Sequence, residues 1–177
     1  MELGKLKKIT KLIMSFAVFV SLFSFSNVTA EAASQAKPLT LPSGYGKLTS
    51  NVWRSDLITS GNTYQFDYQT SAVYSGNKTV EWIKTSWETC ASLRNGASMS
   101  IGISNDGVTV GGSSSWQNAC KSAYWLNTKG QKGAYSERRN AVIKPKADYR
   151  WGTVSIQNEA KVKLKGDART FAINASV

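Results

Sequence analysis

Thr153-Val154-Ser155-Ile156-Gln157-Asn158-Glu159-Ala160-Lys161-Val162-Lys163-Leu164-Lys165 is the stretch that decides the fold class. Val154, Ile156, Ala160, Val162 and Leu164 fall on one side of a period of two. Thr153, Ser155, Gln157, Glu159, Lys161, Lys163 and Lys165 fall on the other, and only Asn158 interrupts the apolar row. A helix would scatter both sets around its axis, so the stretch reads as a half-buried strand of about twelve residues.

The same period recurs on either side. Tyr64, Phe66 and Tyr68 alternate with Gln65, Asp67 and Gln69. From Val80 to Arg94 two periodicities compete: Val80, Ile83, Trp87 and Cys90 have helical spacing, whereas Ile83, Thr85, Trp87, Thr89, Ala91 and Leu93 share a strand face. The β-branched and aromatic content favours the strand. Asn95-Gly96 is a strong hairpin signal, and a three-residue turn, Arg94-Asn95-Gly96, sets Leu93, Ala91, Thr89 and Trp87 opposite Ala97, Met99, Ile101 and Ile103. After a second turn at Asn105-Asp106-Gly107, Trp116 to Leu126 alternates with Trp116, Cys120, Tyr124 and Leu126 on one side. Tyr135, Arg139, Ala141 and Ile143 suggest a further strand, and Phe171 and Ile173 a last one. About eight strands and no mature helix predict an all-β protein, an antiparallel β-sandwich or partly open barrel.

Upstream, residues 1–32 read as a cleaved signal helix. Lys5, Lys7, Lys8 and Lys11 precede an apolar run from Leu12 to Phe25, and Ala30-Glu31-Ala32 supplies small residues for cleavage. Fourteen helical residues rise only ~21 Å, short of a ~30 Å hydrocarbon core. The pattern resembles a Gram-positive export signal, with a eukaryotic one as the alternative, so the protein is expected to be secreted and extracellular. Residues 33–50, with Pro38, Pro42, Gly44 and Gly46, read as an extended, partly mobile lead-in to a single β-sandwich domain over 51–177. In an oxidising compartment, Cys90 and Cys120 are expected to form one disulfide, contributing roughly 3–4 kcal/mol by closing a loop of about thirty residues.

The chain of 177 residues carries 22 Lys+Arg, 11 Asp+Glu and no histidine. Without histidine, Ser-His-Asp and Cys-His catalysis, His-containing metal sites and histidine pH switching are excluded. Two cysteines cannot build a four-cysteine metal site. No Gly-x-Ser-x-Gly elbow, phosphate loop or EF-hand loop occurs in the mature chain, and its acids are scattered singly. A non-enzymatic protein without cofactor or metal is the expectation.

Charge carries the functional signal. Ala33 to Cys120 holds six bases and five acids; Lys121 to Val177 holds twelve bases and four acids. Lys161, Lys163 and Lys165 project from one strand face, Lys144, Lys146 and Arg150 lie in the preceding connection, and Arg138-Arg139 lie before that. Were their strands neighbours, the first six would form a continuous basic face able to hold an anionic cell-surface polymer or membrane headgroups. Nothing in the chain points to specific nucleic-acid recognition. All six tryptophans lie in the mature chain, and the opposite parities of Trp82 against Trp87 and Trp125 against Trp116 require some to face outward, where they suit sugar stacking or a membrane interface.

A second reading rests on the Ser/Thr/Gly-rich alternation from Thr85 through Ser115. It resembles the insertion hairpins of β-pore-forming toxins, in which short polar residues line a lumen. That likeness implies a secreted pore-forming or antimicrobial protein using a hairpin over Ile83–Ile103. Cys90, mid-arm and tied to Cys120, counts against it.

Overall fold

The structure, a computed structural model, describes residues 32–103 and 107–177. The signal peptide expected over 1–32 lies, but for Ala32, outside the described residues. Twelve strands follow in order: β1 (Ala33–Leu41), β2 (Gly46–Arg54), β3 (Ile58–Ser60), β4 (Thr63–Ser75), β5 (Val80–Leu93), β6 (Ser98–Ser100), β7 (Val108–Thr109), β8 (Gln117–Asn127), β9 (Gly133–Tyr135), β10 (Arg139–Lys144), β11 (Ser155–Leu164) and β12 (Thr170–Ser176). Two short 3-10 turns, Pro42–Gly44 and Lys146–Asp148, join them.

The strands form two antiparallel sheets packed as a sandwich. One runs β1-β2-β4-β10-β6-β7, with β3 and β9 also paired to β4; the other runs β12-β11-β5-β8. The 33–50 lead-in is therefore part of the sandwich. β1 pairs with β2 from Ala33↔Arg54 to Leu41↔Gly46, and β2 pairs in turn with β4. Its prolines mark the β1 edge (Pro38) and the turn (Pro42), where no ladder donor is needed.

The decisive stretch behaves as read. β11 alternates without a break, and Ile156, Ala160, Val162 and Leu164 are fully buried. β5 buries Ile83, Thr85, Trp87, Thr89, Ala91 and Leu93, the strand face read from sequence. The competing helical spacing of Val80 and Ile83 has a specific cause. Register shifts where Lys163↔Trp82 gives way to Leu164↔Val80, so a bulge turns both Val80 and Ile83 inward.

The hairpin over 83–103 does not form. β5 lies between β11 and β8 in one sheet, whereas β6 pairs β10 and β7 in the other. The turn is a two-residue one: Asn95 (φ 51) and Gly96 (φ 78) occupy its corners, and the Ala97 amide donates to the Arg94 carbonyl at 2.9 Å. Both centres in the left-handed region are what an Asn-Gly pair supplies, but this turn carries the chain from one sheet to the other. Leu93, Ala91, Ala97, Met99 and Ile101 are all buried, because they meet across the core and not along a ladder. The apolar matching was real, and its geometry was face to face.

The disulfide is present. Cys90 and Cys120 are directly opposite on β5 and β8, with Cα atoms 4.1 Å apart.

The core is divided in two. One cluster contains Val52, Tyr68, Trp87, Leu93, Met99 and Ile156; the other contains Leu41, Leu48, Tyr74, Ile83, Val162 and Leu164. Between them lies a polar layer to which four strands contribute: Ser50 on β2, Thr70 on β4, Thr85 on β5 and Asn158 on β11, all buried. Asn158 Nδ2 lies 3.0 Å from each of Ser50 Oγ, the Asn51 carbonyl and the Ser71 carbonyl. Its Oδ1 accepts from the Thr85 hydroxyl at 2.7 Å, and its carbonyl accepts from Ser50 Oγ at 2.9 Å. The residue that interrupts the apolar row is thus the hub that ties the two sheets together, fully partnered where an unpaired amide would be costly.

Candidate functional site

Antiparallel topology sends the strand connections to two opposite ends, and each end gathers part of the cations. At one end four connections converge: 42–45 between β1 and β2, 76–79 between β4 and β5, 128–132 between β8 and β9, and 165–169 between β11 and β12. Pairings Leu41↔Gly46, Lys47↔Ser75, Leu164↔Val80, Ile83↔Asn127 and Val73↔Gly133 hold these ends together. The packing is close. A Cβ on Gly46 would overlap the Ser75 carbonyl oxygen, and one on Gly76 would overlap the Tyr45 carbonyl oxygen, so both turns require glycine. The Tyr74 hydroxyl donates to the Tyr45 carbonyl at 2.5 Å, and the Lys165 amide donates to the Thr79 carbonyl at 2.9 Å.

This end carries Lys47, Lys78, Lys129, Lys132, Lys163, Lys165 and Arg169, all but half-buried Lys163 exposed, against Glu81 and Asp167. Aromatic rings position three of the cations. Lys78 Nζ lies 4.8 Å from the Tyr45 ring centroid, Lys132 Nζ lies 5.9 Å from that of Tyr74, and the Arg169 guanidinium lies 5.2 Å from that of Phe171. Lys132 Nζ also donates to the Gly76 carbonyl. Arg169 grips Asp167 through Nε (3.0 Å) and Nη2 (2.8 Å), which lowers the Asp167 pKa to about 2.

The six residues singled out from sequence are not brought together. β10 and β11 belong to different sheets. Lys163 and Lys165 join the basic end. Lys161 stands further along the outer face of the four-stranded sheet, 2.6 Å from Glu159 and directly opposite Lys84. That like-charged rung is relieved by Glu159 and by the Tyr124 ring, whose centroid is 4.3 Å from Lys84 Nζ. A cleft of about 280 Å³ on this face mixes Lys84 with Glu88 and Glu159, so it has no cationic bias.

Lys144, Lys146 and Arg150 lie at the opposite end, near the turn at Asn95-Gly96. The Lys146 amide bonds the Asn62 carbonyl and the Arg150 amide bonds the Ser92 carbonyl. There Asp148 accepts from Arg94 Nε (3.2 Å) and Asn95 Nδ2 (2.7 Å), while the Arg94 guanidinium sits 4.5 Å from the Trp116 ring. Tyr64, Tyr149 and Trp151 pack edge to face beside them, with centroids 5.5–6.4 Å apart. Arg54 is not available for binding at all: it points inward and is 2% exposed, and burial lowers its pKa from the ordinary guanidinium value.

Sequence reasoning missed Lys47, Lys78, Lys129, Lys132 and Arg169 as a group. Lys129 and Lys132 lie in the β8–β9 connection and Lys78 in the β4–β5 connection, and only the topology puts those turns side by side. The signal available was that each lies at a strand boundary. As for the tryptophans, Trp87 is buried and donates to the Tyr68 hydroxyl at 3.1 Å, whereas Trp116, Trp125 and Trp151 are exposed. The β8 row of Cys120, Tyr124 and Leu126 faces solvent; Ala119 is the residue that β8 buries.

No family model matches the chain, and no curated protein matches it. Among solved structures, the chain is similar to the crystal structure of the yeast GGA1 GAE domain at 14% sequence identity and a TM-score of 0.25, covering 81% of this chain and 98% of that one.

Proposed function

We propose that this is a secreted, non-enzymatic β-sandwich protein that binds a phosphate-bearing anionic surface through the basic end of the sandwich. The observation that carries the reading is the convergence of seven cations and two acids at one end of the sandwich, on four adjoining connections and the strand ends beside them. The leader-like N-terminus, Leu12 to Phe25 behind its lysines, and the Cys90–Cys120 bridge support export. Cations clustered on rigid turns raise the local potential and favour a polyanion over a single small anion. Rings under Lys78, Lys132 and Arg169 limit the side-chain entropy that binding would otherwise cost. The shared ligand chemistry is a row of phosphates, which a wall polymer or a phospholipid surface would both provide.

Retention on teichoic-acid-bearing cell walls and on phosphatidylglycerol vesicles tests the reading and separates the two sources. Replacing Lys78, Lys132, Lys163, Lys165 and Arg169 with Gln should abolish retention at about 0.15 M salt, and salt alone should weaken the unmodified protein steeply. Full retention by the five-residue variant, folded by circular dichroism, would sink the proposal.

A further inference from the structure

We infer that the outer face of the eight-stranded sheet holds a second binding site, one for a neutral glycan chain. A cavity of about 460 Å³ opens there over β1, β2, β4 and β9. Its rungs run Ser34–Trp53–Gln69 and Ala36–Asn51–Ser71–Tyr135. In a chain of net charge +11, no charged residue lines it.

Two aromatic side chains stand at its corners. Trp53 on β2 and Tyr135 on β9 flank β4 from opposite sides, two strands and two residues apart, which sets their Cα atoms about 12 Å from each other. Tyr135 is 55% exposed. Trp53 is half-buried, and its ring is propped by the Arg138 guanidinium 5.1 Å from the centroid. Arg138 is itself held by Asp67 Oδ2, at 3.0 Å from Nε and 2.6 Å from Nη2, and Asn140 Nδ2 donates to Asp67 Oδ1 at 3.1 Å. These bonds hold the Asp67 carboxyl below its ordinary pKa, Asn140 contributing most and Arg138 next.

The floor between the rings is uncharged and polar. Asn51 Nδ2 donates to Ser71 Oγ at 3.0 Å, and Gln69 Nε2 donates to the Ser136 carbonyl at 3.2 Å. Both amides are thereby oriented, and their oxygens have no protein donor among the described residues. An apolar ligand would leave these groups unpaired. A phosphate-bearing strand would meet no cation in the cavity. An extended peptide would add its backbone along the edge at β1 and would not lie across the face of β2 and β4. A sugar chain satisfies all of it: its C–H faces stack on the rings while its hydroxyls exchange bonds with the amides. The separation of the rings suits a short oligosaccharide better than one sugar.

Calorimetric titration of the secreted protein with chitotetraose, cellotetraose, maltotetraose and mannotetraose tests the inference. At least one should bind with Kd below about 1 mM, with less than about twofold change between 0.15 M and 1 M salt because no charge is involved. Trp53→Ala and Tyr135→Ala should each weaken that binding about tenfold or more. Tyr135 is exposed, so its variant keeps the test valid even where Trp53→Ala unfolds. The five-residue basic-end variant should bind the same glycan as the unmodified protein does, which separates this site from the phosphate site. Absence of binding across the panel, unchanged affinity in Tyr135→Ala, or loss of glycan binding in the folded basic-end variant would each overturn it.

Discussion

The two ends of this sandwich are built from the same strands and differ in what their connections carry. At the end formed by 42–45, 76–79, 128–132 and 165–169, cations outnumber acids and three of them rest on aromatic rings. At the other, Asp148 draws in Arg94 and Asn95, and Tyr64, Tyr149 and Trp151 form an aromatic cluster. Each end overlies its own apolar cluster, and the Ser50–Thr70–Thr85–Asn158 layer separates them. The difference teaches that charge counted along a chain says little about charge gathered in space. Lys144 and Lys165 are near neighbours in a basic C-terminal segment, yet one β-strand of ten residues, about 33 Å of chain, separates their ends.

The largest expected effect breaks the frame that both ends share. Replacing Cys90 and Cys120 with Ser should lower unfolding free energy by about 3–4 kcal/mol in urea titrations. While the variant is folded, retention on anionic vesicles should be unchanged, because the bridge lies on β5 and β8 away from the basic connections. A parallel loss of retention would show that the two ends are not independent.

Next in size is the layer between the clusters. Asn158→Ala leaves the Thr85 and Ser50 hydroxyls and two backbone carbonyls short of partners, and should cost on the order of 2–3 kcal/mol by the same titration. A loss below about 0.5 kcal/mol would mean that the layer contributes no more than a surface position does.

A smaller effect sharpens the contrast between the ends directly. Lys144→Gln, Lys146→Gln and Arg150→Gln together should change vesicle or wall retention by about twofold or less, through screened long-range charge alone. A loss equal to that of the basic-end variant would restore the six-residue face as the binding surface.

The smallest effect is pH. With no histidine, no side chain of ordinary pKa titrates between pH 5 and 8, so retention should be flat across that range. Asp167 has its pKa lowered to about 2 by Arg169, so the support of that pair is complete above the ordinary carboxylate pKa and is lost only as pH falls toward 2. Retention varying severalfold between pH 5 and 8 would require a group titrating in that range and would overturn this expectation.

Much of the fold was legible because strand periodicity is a local property. Period two in 154–164 and in 83–93 is set by alternating side-chain direction, whatever the partner strand. The same logic placed Asn158 on the inward face without revealing its purpose, since Ser50, Thr70 and Thr85 interrupt their own strands 73 to 108 positions before it in the chain. The basic end and the Trp53–Tyr135 cavity were illegible for the same reason: each is assembled from segments distant in sequence.

By itself, then, the sequence determined the all-β class, the inward faces of β5 and β11, the positive excess and the exclusion of histidine chemistry. These follow from backbone geometry and composition, which need no knowledge of neighbours. It also restricted bridging to one pair of cysteines, which the β5–β8 register then set directly opposite. Only the tertiary structure decided which strands are neighbours. Apolar matching across 93–97 satisfied a ladder and a face-to-face core equally well, because both bring the same side chains out of water. What settled it was the competition among all strands for partners: β5 gained β11 and β8 along ten and eleven paired positions, which the three residues of β6 could not rival.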